Sequence, residues 1–457
     1  MEVSMFQYRN LSIAAIMCFA PLAQASTIAI IDSGVDIKHP DLASKIWTNP
    51  SEILNNKDDD GNGYSDDING WNFFANNNVI IDLKYTSLFS TDIDTFFEIQ
   101  DKYLLGTATP EDLAWIKEKA SDANFVSSIN KYGTFVHGTH VAGITAKGND
   151  LAKILTVRLV PVENPLLSLK KDLISANRSK REMTDFKKGL IKAGLSLLAS
   201  AQGTAFGLVG EYANSGSADV ANASLGVGAA QARIIVTPLV TLAGGLATDT
   251  ALIDELSIHF LTEAVKGQKK IATSAPETLF VFAAGNDGTN NDVFPVAPAN
   301  ANLENTISVG ASIDYQGIAP FSNYGKTVDV LAPGVGIVST VPGNRYMALS
   351  GTSQASPFVA GIAAGIKDAN ANLTPAQMKA IIIGTVDVKA NLVDKVKSSG
   401  IANRDRAIRA AELANNVSVS AAITAARAEV ADVVPTAEFI NPEKVIPTQL
   451  GSSIITE

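Results

Sequence analysis

The sequence predicts an α/β fold with a doubly wound, mostly parallel sheet flanked by helices. Short apolar runs recur along the chain, and each ends in Gly, Ser, Asn or Asp or is soon followed by one. Their apolarity is continuous rather than alternating, which is typical of strands buried on both faces of a parallel sheet. Helix-length stretches separate several of them, as in βαβ units. The runs are residues 27–31, 154–160, 220–224, 279–284, 306–309 and 328–332.

The composition favours a folded, acidic protein. The 457 residues are 46% hydrophobic and 18% charged, which allows a large core and argues against extensive disorder. The formal net charge of −10 repels nucleic-acid phosphates, so we expect no nucleic-acid partner. Basic residues between positions 178 and 188 are interleaved with acidic ones, and we interpret them as a solvated helix face.

Residues 1–25 are typical of a secretory signal peptide. Arg9 supplies a positive charge, residues 11–19 form a short apolar run, and residues 23–25 form a small-x-small cleavage site. The run is too short to span a bilayer comfortably, and we interpret no later segment as a transmembrane helix. The single cysteine, Cys18, lies in this leader. We predict a secreted protein, extracellular or periplasmic, without stable membrane insertion; a buried helix or an uncleaved anchor is the alternative.

The rest of the chain is predicted to form one main domain, residues 26–415, with insertions at about residues 76–129 and 161–203, and a C-terminal appendage, residues 416–457, that is disordered in part. The first insertion contains a predicted helix. Thr109 is its N-cap and Pro110 lies in its first turn, followed by two acidic residues near the positive end. The sequence leaves the oligomeric state open.

Three segments contain, in the order Asp, His, Ser, the groups that a hydrolytic nucleophile needs. They are residues 31–34, 137–143 and 351–357. A serine hydroxyl is a weak nucleophile that needs a base and a third group to orient that base, and the pKa of histidine suits the base role. Each segment alone has a simpler explanation: Asp-Ser-Gly is more often a turn, and a histidine pair often fills space. The ordered combination favours an enzyme.

Histidine is scarce, which narrows the choice of base. The chain has four histidines: His39, His137, His140 and His259. His137 and His140 are predicted to open one helix that Gly138 and Gly143 allow to pack closely. We predict His137 as the base and His140 as a packed, hydrogen-bonded partner.

Ser353 is the candidate nucleophile, and Asn286 is a candidate hydrogen-bond donor to the oxyanion. Ser353 precedes a helix of small residues with Pro357 in its first turn, and the N–H groups at that end can bind an oxyanion. Asn286 follows the buried run at 279–284, and its amide can donate to a tetrahedral intermediate. The alternative for Asn286 is a turn former.

From residue 28 to about residue 411 the chain resembles the subtilisin-like serine peptidases, the subtilases, interrupted by the two insertions. The Asp, His, Ser order is the one found in subtilisin. The resemblance implies a triad of Asp32, His137 and Ser353, with Asn286 completing the oxyanion hole. It also implies that Ser224, Leu225 and Gly226 pair with the substrate backbone as an added strand, and that Ala283, Ala284 and Gly285 form the opposite wall of the pocket for the residue before the cut. Only six residues separate the predicted cleavage site from Asp32, so we expect none of the pro-segment that most secreted subtilases carry.

Residues 58–67 pack five carboxylates into ten positions. The first half fits the spacing of an EF-hand loop, but Asn69 stands where the bidentate glutamate would be. We predict a structural calcium site with the ligands Asp58, Asp60, Asn62, the Tyr64 carbonyl and Asp66. A solvated acidic turn is the alternative.

These observations predict a secreted serine endopeptidase that acts on polypeptide substrates through an acyl-enzyme. Two alternatives remain: a catalytically silent calcium-binding or adhesion module on the same fold, and an esterase-like serine hydrolase.

Overall fold

The computed structural model describes residues 25–163 and 183–434. In these ranges a ten-stranded sheet forms the centre of the molecule and two further strands form a separate hairpin. The strands are β1 (Thr27–Asp32), β2 (Gly70–Asn72), β3 (Lys153–Arg158), β4 (Val220–Ala223), β5 (Leu279–Ala283), β6 (Thr306–Ile313), β7 (Gly317–Ile318), β8 (Val330–Pro333), β9 (Ile337–Val341), β10 (Arg345–Leu349), β11 (Asp387–Val388) and β12 (Gly400–Ile401).

The sheet has the order β11-β12-β8-β6-β5-β4-β1-β3-β2, with β7 paired to β6. The six predicted runs form its six consecutive strands from β8 to β3, and every pairing among them is parallel. The predicted fold class is therefore confirmed. β9 and β10 form the antiparallel hairpin.

Helices cover both faces of the sheet. The described helices are α1 (Pro40–Ala43), α2 (Thr91–Leu104), α3 (Pro110–Lys119), α4 (Ala123–Ala146), α5 (Asp185–Ser215), α6 (Ala229–Leu242), α7 (Thr250–Gln268), α8 (Lys270–Thr273), α9 (Thr352–Ala369), α10 (Pro375–Gly384), α11 (Arg404–Leu413) and α12 (Val419–Glu429). Alternate strand residues enter two separate cores: Ile28 and Ile30 pack with α4 and α9, whereas Ala29 and Ile31 pack with α5 and α8. Both faces are apolar for this reason.

The first insertion is a small helical unit. The predicted helix is confirmed as α3, in which Thr109 and Asp112 form a reciprocal capping box. The structure corrects the prediction that His137 and His140 open a helix, because α4 already begins at Ala123. Its extra turns carry Ile129, Tyr132 and other apolar residues at helical spacing, and the buried core of the insertion holds that face in place.

Helix α5 accounts for the helical part of the second insertion that the structure describes. By length and composition alone it is long and apolar enough to cross a membrane, and 33% of its apolar stretch is buried. The sequence interpretation named no such helix. It packs against α7 at a point where a Cβ on Gly203 would lie 2.7 Å from the Gly267 backbone. Residues 164–182 of the insertion lie outside the described residues.

The described part of the tail packs on the body of the protein. The buried Arg406 side chain binds Asp387 at 2.9 Å, Asp432 at 2.8 Å and the Val430 carbonyl at 2.9 Å. The predicted leader with Cys18 and the last residues of the tail, 435–457, lie outside the described residues.

Candidate active site

The candidate site lies where the carboxyl ends of β1, β4 and β5 meet. Each of these three neighbouring strands leads to one predicted residue: β1 ends at Asp32, β4 is followed by Ser224, and β5 is followed closely by Asn286. The chain leaves β1 toward β3 on one side and returns to β4 on the other, so this edge is a topological switch point. Ligands of open α/β sheets bind in the crevice at such a point.

Asp32 and His137 form a direct pair, although 105 positions separate them in the chain. The Oδ1 atom of Asp32 lies 2.7 Å from Nδ1 of His137, and it also accepts the Ser33 N–H at 2.7 Å. The Asp32 side chain is 2% exposed and the His137 ring is 25% exposed, so the imidazole alone reaches the surface. Burial lowers the pKa of His137, but the adjacent Asp32 carboxylate raises it more, and the net pKa lies above its usual value.

Two glycines let α4 bring His137 to this position, as the sequence predicted. A Cβ on Gly138 would lie 2.3 Å from the Gly34 carbonyl oxygen, and one on Gly143 would lie 2.4 Å from Ser339 Oγ. A larger side chain at Gly138 would push the helix away from the turn after β1, and one at Gly143 would push it away from strand β9. The Asp32–His137 distance therefore depends on these close contacts.

The other histidines have structural contacts. His140 is fully buried and its Nε2 lies 3.0 Å from the Met347 carbonyl, so it is packed and hydrogen-bonded as predicted. Burial lowers the pKa of His140 to about 4, and the ring stays neutral. His39 caps α1, and His259 contacts Ser196 at 3.1 Å.

Ser353 lies in the first turn of α9, not before the helix as predicted, and Pro357 lies in the second turn. Proline has no N–H, so the Ser353 carbonyl lacks the helical bond that residue 357 would normally supply. It accepts the Ser224 hydroxyl instead, at 3.0 Å. In the described part of the chain the Ser353 hydroxyl donates to the Ser224 carbonyl at 3.3 Å rather than to His137. Bonds between nucleophile and base are often long or misaligned before substrate binds.

The side chain of Asn286 is oriented by the residue before the candidate nucleophile. Its Oδ1 accepts both the N–H and the hydroxyl of Thr352, each at 2.9 Å. A Cβ built on Gly351 would lie 3.6 Å from Asn286 Nδ2 and 3.6 Å from Ser353 N. The acceptor end of the amide is thus occupied, and its donor end lies near the first N–H groups of α9.

Both predicted substrate-binding segments contact the first residues of α9. One segment is Ser224, Leu225 and Gly226, of which Gly226 is exposed and Ser224 bonds to Ser353. The other segment is Ala283, Ala284 and Gly285, and the Gly285 N–H donates to Thr352 Oγ1 at 3.2 Å.

The acidic loop brings together three carboxylates, one of which the sequence analysis missed. Ligand atoms of Glu52, Asp58 and Asp60 all lie within 4.8 Å of one another. The Gly63 N–H, at 2.8 Å, is the largest of several contacts that lower the pKa of Asp58. Carboxylate oxygens are the ligands that calcium prefers, so this donor set fits Ca²⁺. Glu52 lies outside the EF-hand-like motif. The only sequence signal that could have identified it as a ligand was its position shortly before the loop.

The remaining predicted ligands have other contacts. The Asp66 carboxylate is not part of this group; it accepts the backbone N–H groups of Asn55 and Asn56 at 2.7 Å and 3.0 Å. The Asn62 amide donates to Asp60, and its oxygen accepts the Tyr64 N–H at 2.8 Å.

Known proteins share parts of this sequence. The "Thermophilic serine proteinase" of Bacillus sp. (strain AK1) is 55% identical over 87 residues, which are 19% of this chain and 20% of that protein. The "Alkaline elastase YaB" of Bacillus sp. (strain YaB) is 40% identical over 136 residues, which are 30% of this chain and 34% of that protein. These matches span only a fifth to a third of the length of the two relatives.

A solved structure of a cold adapted subtilisin-like serine proteinase aligns with 83% of this chain and 88% of its own chain, at 19% identity and a TM-score of 0.42. The family match is far more extensive than the two pairwise sequence matches, which cover 19% and 30% of the chain. The sequence model of the subtilase family matches residues 23–407. The chain therefore belongs to the subtilase family.

Proposed function

We propose that this chain is a serine endopeptidase in which Ser353 is the nucleophile, His137 the base and Asp32 the residue that orients the base. The observation that carries the proposal is the 2.7 Å contact between Asp32 Oδ1 and His137 Nδ1. A proton on Nδ1 leaves Nε2 free to take the proton of a serine hydroxyl. Family membership supports the same chemistry.

The reaction has two halves. Ser353 Oγ attacks the peptide carbonyl while His137 takes its proton, and His137 then gives that proton to the departing amine, which leaves an acyl-enzyme. Water repeats the attack with His137 again as base, and the second product leaves. Asp32 stabilises the imidazolium that forms in each half.

The negative oxygen of the tetrahedral intermediate needs donors that are already oriented. The Ser353 N–H and the Asn286 amide are the proposed pair, because Thr352 occupies the other end of that amide. Donors fixed in advance cost no reorganisation when charge develops. The backbone at 224–226, of which Gly226 is exposed, and the small residues at 283–285 are the proposed walls for an extended peptide.

The alternatives differ in simple assays. A fluorophosphonate probe labels Ser353 if the nucleophile is activated, whereas a silent binding module remains unlabelled. Cleavage of casein distinguishes a peptidase from an esterase-like hydrolase that cleaves only a simple ester. Labelling at Ser353 together with casein cleavage supports the proposal; an unlabelled Ser353 contradicts it.

We also propose that the protein is secreted, to the medium or the periplasm. The signal-peptide pattern in residues 1–25 supports this, and the expected partners are polypeptide substrates.

Calcium is the proposed structural cofactor, with Glu52, Asp58 and Asp60 as carboxylate ligands. Ca²⁺ at 100 times its Kd should stabilise the folded state by about 2.7 kcal/mol, because binding reduces the repulsion between these groups and acts only on the native loop. We expect a higher Tm in calcium than in a chelator, measured by calorimetry at constant ionic strength.

Two variants sharpen the calcium test. Asp60→Ala should abolish the calcium-dependent rise in Tm. Asp66→Asn is the matched control: it removes a charge that holds the turn at residues 55–56, so it should lower Tm with and without calcium but keep the rise. A chelator that leaves the wild-type Tm unchanged would refute the site.

A further inference from the structure

A helix of the first insertion contacts the turn that carries the nucleophile. Helix α2 lies along β10, with Asp94 next to Arg345 near its start and Asp101 next to Ser350 near its end. Ser350 is separated from Ser353 by only two residues, and Gly351, the N-cap of α9, lies between them. The insertion therefore contacts the rest of the chain within one helical turn of the proposed nucleophile.

The contact at Ser350 is a short chain of hydrogen bonds. The Gly336 N–H donates to Ser350 Oγ at 2.8 Å, and the Ser350 hydroxyl donates to Asp101 Oδ1 at 2.5 Å. The hydroxyl hydrogen points to Asp101 because an ionised carboxylate can only accept, whereas the hydroxyl oxygen can accept the Gly336 N–H and donate its own hydrogen at the same time. A charged acceptor makes such a bond shorter and stronger than a neutral one.

Asp101 is buried and has no counter-ion among the described residues. Asp101 is 7% exposed, and its second carboxylate oxygen, Oδ2, is buried without a hydrogen-bond partner. Charged groups on α2 and on the elements that pack there have other partners. These pairs are Asp92 with Lys119, Asp94 with Arg345, Glu98 with Lys102, Lys131 with Glu163, and Asp32 with His137. His140 remains neutral at and above pH 5 because burial lowers its pKa to about 4.

This environment is unusual for a residue that only fills space. An unpaired carboxylate in the interior lowers stability, and a hydrophobic side chain at this position would avoid that cost. Burial raises the pKa of Asp101 to about 6, although the bond from Ser350 acts in the opposite direction. Asp101 therefore changes charge within the range where a peptidase of this kind can be assayed.

We propose that Asp101 is a positioning residue: its carboxylate holds the Ser350 hydroxyl and, through it, the turn that places Ser353 at the start of α9. The inference rests on the proposed peptidase function. Asp101 contacts neither the nucleophile nor the base, so its effect passes through Ser350 and Gly351. A displacement of the reacting group by a fraction of an ångström lowers turnover while substrate binding changes little.

The test compares kcat and KM of wild type and Asp101→Asn on one peptide between pH 5 and pH 8. The variant keeps the shape of the side chain but has no charge. At pH 8 we expect kcat to be about tenfold lower in the variant, with KM within twofold. The ratio of wild-type to variant kcat should fall to about two at pH 5, because only about a tenth of the wild-type carboxylates are then still ionised. Titration of His137 cancels from this ratio, since both proteins contain it.

Two further variants separate positioning from packing. In a Ser350→Ala background the Asp101→Asn substitution should have no further effect, because the shared bond is already lost. Asp94→Asn breaks another contact between α2 and β10 and should change kcat less than twofold at every pH. A ratio that is constant with pH, or an equal loss in the Ser350→Ala background, would overturn the inference.

The same experiment distinguishes this inference from the proposed function. Wild-type protein that neither cleaves casein nor is labelled at Ser353 refutes the proposed function. If the wild-type protein cleaves casein and is labelled at Ser353, but the kcat ratio between wild type and Asp101→Asn does not change with pH, only the role of Asp101 is refuted.

Discussion

Ser353→Ala should lower kcat for peptide cleavage by about 10⁶, a magnitude taken from subtilisin itself, with KM close to the wild-type value. The reason is that alanine removes the atom that attacks the carbonyl, whereas the binding walls at 224–226 and 283–285 remain. The measurement is steady-state kinetics on a peptide with a chromogenic leaving group, together with fluorophosphonate labelling, which should be lost.

A matched serine distinguishes chemistry from folding. Ser200 is exposed on α5, so Ser200→Ala should keep wild-type kcat and Tm. Ser353→Ala should also keep Tm near the wild-type value, because among the described residues its hydroxyl makes a single bond, of 3.3 Å, to the Ser224 carbonyl. Adding His137→Ala to Ser353→Ala should cost almost nothing more, because the two residues act as a unit. Residual cleavage within tenfold of wild type in Ser353→Ala would contradict the assignment of the nucleophile.

The strands could be predicted because the physics that forms them is local. A strand buried on both faces must be apolar throughout, and runs such as 279–284 therefore appear in the sequence without any knowledge of their neighbours. Helix α3 could be predicted for the same reason, because its N-cap, its proline and its acidic first turn are adjacent in the chain. It also explains why Asp32 and His137 could be proposed as a pair: each lies in a short motif.

Other features depended on contacts between distant segments. Helix α4 begins after a local N-cap, Asp122, which accepts the Asn124 N–H at 2.9 Å. The sequence analysis missed this cap, and the apolar face of the first turns is held by the core of the insertion, which forms only in the fold. Glu52 joins Asp58 and Asp60 only because the chain folds back on itself. The bond between Ser350 and Asp101 links residues 249 positions apart, and neither residue belongs to a recognisable motif.

Asp32→Asn should lower kcat by about 10⁴ at the wild-type optimum, the loss measured for the corresponding change in a serine protease of another fold. Asparagine is nearly the same size, so the close contact between Gly138 and Gly34 need not change. The amide, however, cannot stabilise an imidazolium, and in one orientation it donates to Nδ1 and favours the wrong tautomer of His137.

The pH profile gives this variant a second, independent signature. In the wild type the Asp32 carboxylate raises the pKa of His137 above its usual value despite burial, so activity is lost as pH falls through that raised pKa. Asp32→Asn removes the carboxylate and leaves burial, which lowers the pKa. The acidic limb of kcat/KM should therefore move to lower pH. Asp41→Asn removes an exposed carboxylate on α1 and should leave both the limb and the rate unchanged. An acidic limb that stays in place or moves to higher pH would show that Asp32 does not set the protonation of the base.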